Sequence, residues 1–277
     1  MVMSAFQNPA SSEAPVAGKD PAHTPEGLPL EVIWHDLECG SYRADLPLWR
    51  ELAGAILGPI LDIGAGTGRV TLDLARAGRQ VTALELDPEL LDALRERASG
   101  LDVETVCADA RSFELPTRDF GLCIVPMQTI QLLAGTAERS ALLRHALAHL
   151  RPGGLFACAI ATELDPFEAS ADSLVPSPET TRIGDTVYVS QATSVAVLTQ
   201  TITIVRERRV IDAAGVHSND RDPIGGPAGE RNVVELARVT PYELEREGAR
   251  VGFHPEPALR IDPTDEHVGS AVVMLRA

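Results

Sequence analysis

The chain has 277 residues, 44% of them hydrophobic and 23% charged, enough for one large domain or for a core with an appended part around a substantial apolar interior. Its 24 Lys+Arg against 40 Asp+Glu give a formal net charge of −16; no Lys/Arg-rich run opposes that field, so nucleic acid is excluded as the expected partner. No apolar run approaches the roughly 18 residues that span a bilayer, and no basic stretch followed by an apolar one stands near the start, so the expectation is a cytoplasmic protein without a membrane.

In chain order, residues 1–28 are rich in Ala, Pro, Ser and Gly and read as a loose tail that cannot offset its own ordering entropy. Over 29–57, Trp34, Leu37, Leu46, Leu48, Trp49, Leu52 and Ile56 recur at helical spacing, which predicts one or two amphipathic helices covering the core. From 58 to 162 strand and helix alternate: strands over 60–63, 80–86, 101–107, 120–125 and 155–161, helices over 67–77, 88–98 and 137–150. That alternation predicts an α/β fold, doubly wound, with a mostly parallel sheet and helices on both faces. Asp87-Pro88-Glu89 marks one helix start and Thr240-Pro241-Tyr242-Glu243, a capping box, another. Cys39, Cys107, Cys123 and Cys158 are far apart, the last three inside strand-like runs, and read as buried free thiols.

After Ala161 the character changes. Residues 163–182 are irregular, then Thr186–Val205 and Arg206–Ile211 are rich in Val, Thr and Ile, so the stretch 163–235 is expected to add an antiparallel β layer of two or three strands on the substrate side. A loop is expected over 219–230, and residues 236–277 return to the core with a helix from Tyr242 and strands near Val251 and over 268–275.

The informative stretch is Ile60-Leu61-Asp62-Ile63-Gly64-Ala65-Gly66-Thr67-Gly68-Arg69. A buried strand runs into three glycines that allow a tight turn and a close approach of a ligand to the main chain before the next helix. A dinucleotide fingerprint, G-x-G-x-x-G, would need glycine where Arg69 stands; here the pattern is G-x-G-x-G with Asp62 two residues before it. Glu85 closes the second strand, where a carboxylate can accept from both hydroxyls of a ribose, and Asp109 follows the third.

Three acids at three consecutive strand ends, with Phe120–Met127 and Leu150-Arg151-Pro152-Gly153-Gly154-Leu155 beyond them, resemble the class I, Rossmann-like S-adenosylmethionine-dependent methyltransferases over residues 58–162, and 240–277 resembles that family's closing helix and hairpin. The resemblance implies a seven-stranded sheet and S-adenosylmethionine as cofactor, with S-adenosylhomocysteine as product. Carried over by position, it places Gly64, Ala65, Gly66 and Gly68 at the methionine part, Glu85 at the ribose, Leu86, Asp109 and Ala110 around the adenine, and Pro126 and Met127 near the sulfonium, with Asp62 also among the cofactor-binding residues. One departure is Gly121, where the family often has an aspartate.

Each acid also has a plainer reading: Asp62 as a cap of the glycine turn, Glu85 as a solvated strand end, Asp109 as a loop acid. Arg69 reads as a salt-bridging residue rather than a carboxylate anchor, and His145 and His149, four apart, as complements of a helix C-terminus rather than metal ligands. No metal is expected. The catalytic group is not identified; weak candidates are His35 and Tyr42 in the N-terminal cover and Gln128 after the fourth strand, with Gln131 and His217 behind them. The leading function is methyl transfer to a small-molecule O, N or C acceptor by in-line displacement. A module that binds the cofactor without transferring methyl, and an NAD(P)-dependent dehydrogenase, are the alternatives, and a homodimer stays open.

Overall fold

The computed structural model describes residues 27–169, 176–212, 229–264 and 267–277. Residues 1–26 of the expected 1–28 tail, most of the 219–230 loop and His217 lie outside them.

Two helices open the described chain, α1 (Leu30–Cys39) and α2 (Leu46–Ala55), burying Trp34 and Trp49 respectively. The core then runs β1 (Ile60–Ile63), α3 (Arg69–Arg76), β2 (Val81–Glu85), α4 (Pro88–Arg97), β3 (Val103–Cys107), β4 (Phe120–Val125), α5 (Thr136–His149) and β5 (Leu150–Ile160). Asp87 caps α4 as its sequence predicts, its Oδ1 accepting from the N–H groups of Glu89 (2.8 Å) and Leu90 (3.2 Å). Past β5 come β6 (Phe167–Glu168), β7 (Glu179–Ile183), β8 (Thr186–Val197), β9 (Thr201–Asp212) and β10 (Glu230–Ala237), then α6 (Pro241–Val251), β11 (His254–Ile261) and β12 (Ser270–Arg276). The capping box forms at Thr240 and Glu243 as expected.

One sheet has seven strands in the order β11-β12-β5-β4-β1-β2-β3, with β3, β2, β1, β4 and β5 parallel and β12 antiparallel to both its neighbours. Both faces of its central strands are covered, which is why they read as unbroken apolar runs. Ile60 packs toward Trp49, Val70 and Leu74 of α2 and α3, while Leu61 and Ile63 pack toward the other face with Leu143 of α5 and Leu244 of α6. The chain moves outward one way from β1 to β3 and the other way from β4 to β5, so a crevice opens between the ends of β1 and β4. Gly121 in β4 has a steric reason: a Cβ there would overlap the main-chain oxygen of Leu57.

Four expectations need correction. The second sheet has five strands, not two or three, ordered β10-β9-β8-β6 with β7 on the outer part of β8; β10 was hidden because Glu230, Arg231 and Asn232 carry no apolar signal. Strand β5 begins at Leu150 rather than Leu155, because Gly153 and Gly154 exchange backbone bonds with Ala277 at 3.0 and 2.9 Å. Val251 ends α6 instead of forming a strand. Cys107 is exposed, since β3 is the edge strand; the other three free thiols are buried.

Candidate active site

The glycine turn crosses the end of β2, with Gly64 N and Ala65 N both donating to Leu84 O at 2.8 and 3.1 Å. Gly64 and Gly66 have φ of 74° and 55°, a region that L side chains rarely enter, and a Cβ on either would overlap a neighbour, Thr129 in the first case and the His35 ring in the second. Gly68, at φ 95°, leads into α3. Beside the turn lies a small, partly open pocket whose lining includes Asp62, Gly64, Ala65, Pro126 and Met127, together with His35 and Cys39 of α1. Met127 sits at φ 53°, the single non-glycine residue with positive φ among those described, a strained backbone of the kind that gathers at functional sites.

Asp62 is fully enclosed. Its Oδ2 accepts from Thr71 Oγ1 at 2.6 Å while Oδ1 has no partner, and burial pushes its pKa up to about 7 against the opposing pull of the Thr71 bond. Arg69 spans Asp45 with two bonds of 2.6 and 2.7 Å and donates a third to Tyr42 O, so it is the salt-bridging residue its position suggested, although it also lines the pocket.

The second group of expected residues sits farther along the same edge. Glu85 is buried; its Oε2 accepts from Gly66 N (2.8 Å) and its Oε1 from Leu86 N (2.8 Å) and Asp87 N (3.0 Å), so it ties the glycine turn to the start of α4. That is neither a solvated strand end nor an open carboxylate, and burial raises its pKa despite those bonds. Asp109, near Ala110 past β3, is held in a fork by Arg111 (2.6 and 3.0 Å), and that guanidinium keeps its carboxyl below the usual range.

Of the catalytic candidates, His35 lines the pocket, Nδ1 lying 3.1 Å from Thr67 Oγ1 and Nε2 having no partner; burial lowers its pKa to about 4. Tyr42 packs under the Arg69 guanidinium, and burial pushes its hydroxyl up to about 12. Gln128 is buried with Oε1 unpartnered. Gln131 is not a substrate-orienting group: its amide is spent on Ala161 N (2.7 Å), Ala161 O (3.2 Å) and Ala237 O (3.1 Å), stitching the two sheets together. His149 does complement the C-terminus of α5, its Nδ1 donating to His145 O (2.7 Å) in the last turn, while its Nε2 accepts from Leu115 N (2.9 Å), which uses both ring nitrogens. Among the described residues no three His, Cys, Asp or Glu side chains gather as a metal site.

No local sequence signal marks the polar residues that fix α1 over the turn. Thr67 Oγ1 donates to Asp36 Oδ1 at 2.6 Å, and Arg97 of α4 donates to both oxygens of Asp36. On the other side of α1, Glu38 takes Arg208 of β9 in a two-bond pair of 2.8 and 2.9 Å and accepts from Ser190 of β8. A charged run on a short helix is uninformative until its partners, up to 170 residues away, are in place.

Residues 60–154 match a family model described as a methyltransferase domain. The chain is 36% identical over 95 residues to the cypemycin N-terminal methyltransferase of Streptomyces sp, covering 34% of this chain and 38% of that one. It is 44% identical over 63 residues to an rRNA adenine N-6-methyltransferase of Saccharopolyspora erythraea, covering 22% of this chain and 16% of the relative. In each case the match spans less than half the length of the curated relative. A solved amino pentose methyltransferase from Micromonospora echinaspora, involved in calicheamicin biosynthesis and bound to S-adenosylmethionine, shares the fold with a TM-score of 0.63 at 21% identity, over 91% of this chain and 99% of that one. No described helix is long and apolar enough to cross a membrane. Residues 60–154 are thus similar to a methyltransferase domain, and the chain shares the fold of the solved methyltransferase.

Proposed function

We propose that this protein transfers a methyl group from S-adenosylmethionine to a small-molecule acceptor. The observation that carries the reading is the pocket between β1 and β4, where a glycine turn that admits no Cβ meets a buried acid with one free oxygen. Asp62, the 64–68 turn, Pro126 and Met127 would hold the methionine end and the sulfur, Glu85 the ribose, and Leu86, Asp109 and Ala110 the adenine. Bound there, the cofactor supplies an electrophilic methyl on a sulfonium.

The protein's own part is to align the acceptor with that methyl and to keep water out, work that needs no metal. A Gln128 carbonyl oxygen that is buried and unpartnered can orient an acceptor N–H or O–H. Neither His35, with a pKa near 4, nor Tyr42, near 12, is matched to take a proton at neutral pH, which favours a neutral amine acceptor that attacks without a base. The second sheet and the charge of −16 favour a small acceptor over a polyanion, and the length of the likeness to an amino pentose methyltransferase makes amino sugars the first to test.

The test is S-adenosylhomocysteine formation by the purified protein with a panel of amino sugars, other amines, phenols, a peptide with a free N-terminus and an rRNA fragment. Turnover of a small acceptor supports the reading. Turnover of rRNA alone, the activity named for one relative, would overturn it, and cofactor binding without any product would leave a binding module.

A further inference from the structure

The hydroxyl of Thr67 has one hydrogen, and it is given to the Asp36 carboxylate at 2.6 Å. Its oxygen can therefore only accept from His35, which places the ring proton on Nδ1. Nε2 is left with a bare lone pair, fully buried, in a ring that lines the pocket and stacks against the one face of Gly66 where a Cβ would overlap it. The chain Asp36–Thr67–His35 thus fixes a tautomer rather than leaving the ring free to choose. Lining the same pocket, Asp62 Oδ1 is a second buried polar atom without a partner. The cation that lines the pocket, Arg69, is committed to Asp45 and to Tyr42 O. With Asp62 ionised, as a neighbouring positive charge would favour, these two enclosed acceptors call for a ligand group that brings several N–H donors and a positive charge.

We infer that His35 Nε2 and Asp62 Oδ1 together receive the α-ammonium group of the cofactor's methionine part, with Asp36 and Thr67 acting as positioning residues that hold the His35 lone pair toward it. This rests on the cofactor reading above and assigns His35 to binding rather than to proton transfer. A ring of low basicity suits that role, because it stays an acceptor across the physiological range.

Calorimetry with two ligands tests it: S-adenosylhomocysteine, which has the ammonium, and 5′-methylthioadenosine, which keeps the adenosine and the sulfur but lacks the amino-acid tail. His35→Asn retains a donor near the Nδ1 position and has no atom at Nε2; His35→Gln retains a polar atom near Nε2. The Asn variant is expected to bind S-adenosylhomocysteine about 10- to 100-fold more weakly, the range for a lost hydrogen bond to a charged group, with 5′-methylthioadenosine unchanged and the Gln variant partly restored. Equal losses for both ligands, or no loss, would overturn the inference while leaving the cofactor reading intact; failure of the unaltered protein to bind S-adenosylhomocysteine would overturn both. Long-range proton–nitrogen NMR of the unaltered protein serves where the variants misfold. It should find His35 protonated at Nδ1 and its Nε2 signal displaced by S-adenosylhomocysteine but not by 5′-methylthioadenosine; an Nε2–H tautomer contradicts the inference.

Discussion

Every residue of β1 and β4 in the seven-stranded sheet is buried, whereas along β8 in the five-stranded sheet Thr186, Tyr188 and Ser190 are buried and Val187, Val189 and Gln191 between them are half-exposed. The first sheet is sandwiched by helices and held by apolar packing on both faces. The second has one covered face, and that face is partly polar: Ser190, Arg206 and Arg208 lie on it, all nearly inaccessible. The difference shows in how each is fastened. The core sheet is held to its helices mainly by apolar packing, with single polar links such as Thr71–Asp62, while the second sheet is joined to the rest of the molecule through Glu38 of α1 and through Gln131. The candidate site accordingly sits on strand ends and main chain in one sheet, while buried charged pairs add to apolar packing in fastening the other.

The largest effect is expected at such a pair. Glu38→Ala leaves Arg208 buried without its carboxylate and should cost about 3–5 kcal/mol, read as a shifted denaturation midpoint, with amide exchange accelerated in β8–β10 before β1–β4. Replacing both partners by Met should recover most of the loss, and if it does not, the pair is more than a fastening. In the core sheet, Gly121→Ala pushes a methyl into the main chain at Leu57 and should cost about 3 kcal/mol, here with exchange rising in β1 and β4. Gln131→Ala strips three bonds from Ala161 and Ala237 and should cost about 1–3 kcal/mol, felt mainly as faster exchange at β10.

A further effect is one of pH. The Asp62 carboxyl titrates near 7 in the folded protein against 3.8 in the reference state, so the folded form keeps a proton the unfolded chain has lost, and its contribution to stability falls as pH rises from about 4 to about 7. Asp62→Asn removes that dependence. The melting temperature of the variant relative to the parent should climb across this window and level off above it; a constant difference would mean that Asp62 is charged throughout.

Much of the core sheet was legible because its signals are local. The strand-glycine-helix unit from Ile60 to Arg69, the Asp87 cap and the Thr240 capping box each declare themselves within a few residues. The second sheet was legible as β-rich but not in extent, since the exposed half of a one-sided strand such as β10 is polar and resembles a loop. Least legible were the groups whose role depends on distant partners: Glu38 with Arg208, Gln131 with Ala237, and the Asp36–Thr67–His35 relay. His35 was singled out by its place in the N-terminal cover, but its tautomer is a product of tertiary contacts alone.

The most direct test of the central claim is calorimetric titration of the purified protein with S-adenosylmethionine, S-adenosylhomocysteine and NAD. Saturable binding of both adenosyl ligands with none for NAD is the result this account predicts. Binding of NAD, or of neither adenosyl ligand, would contradict it.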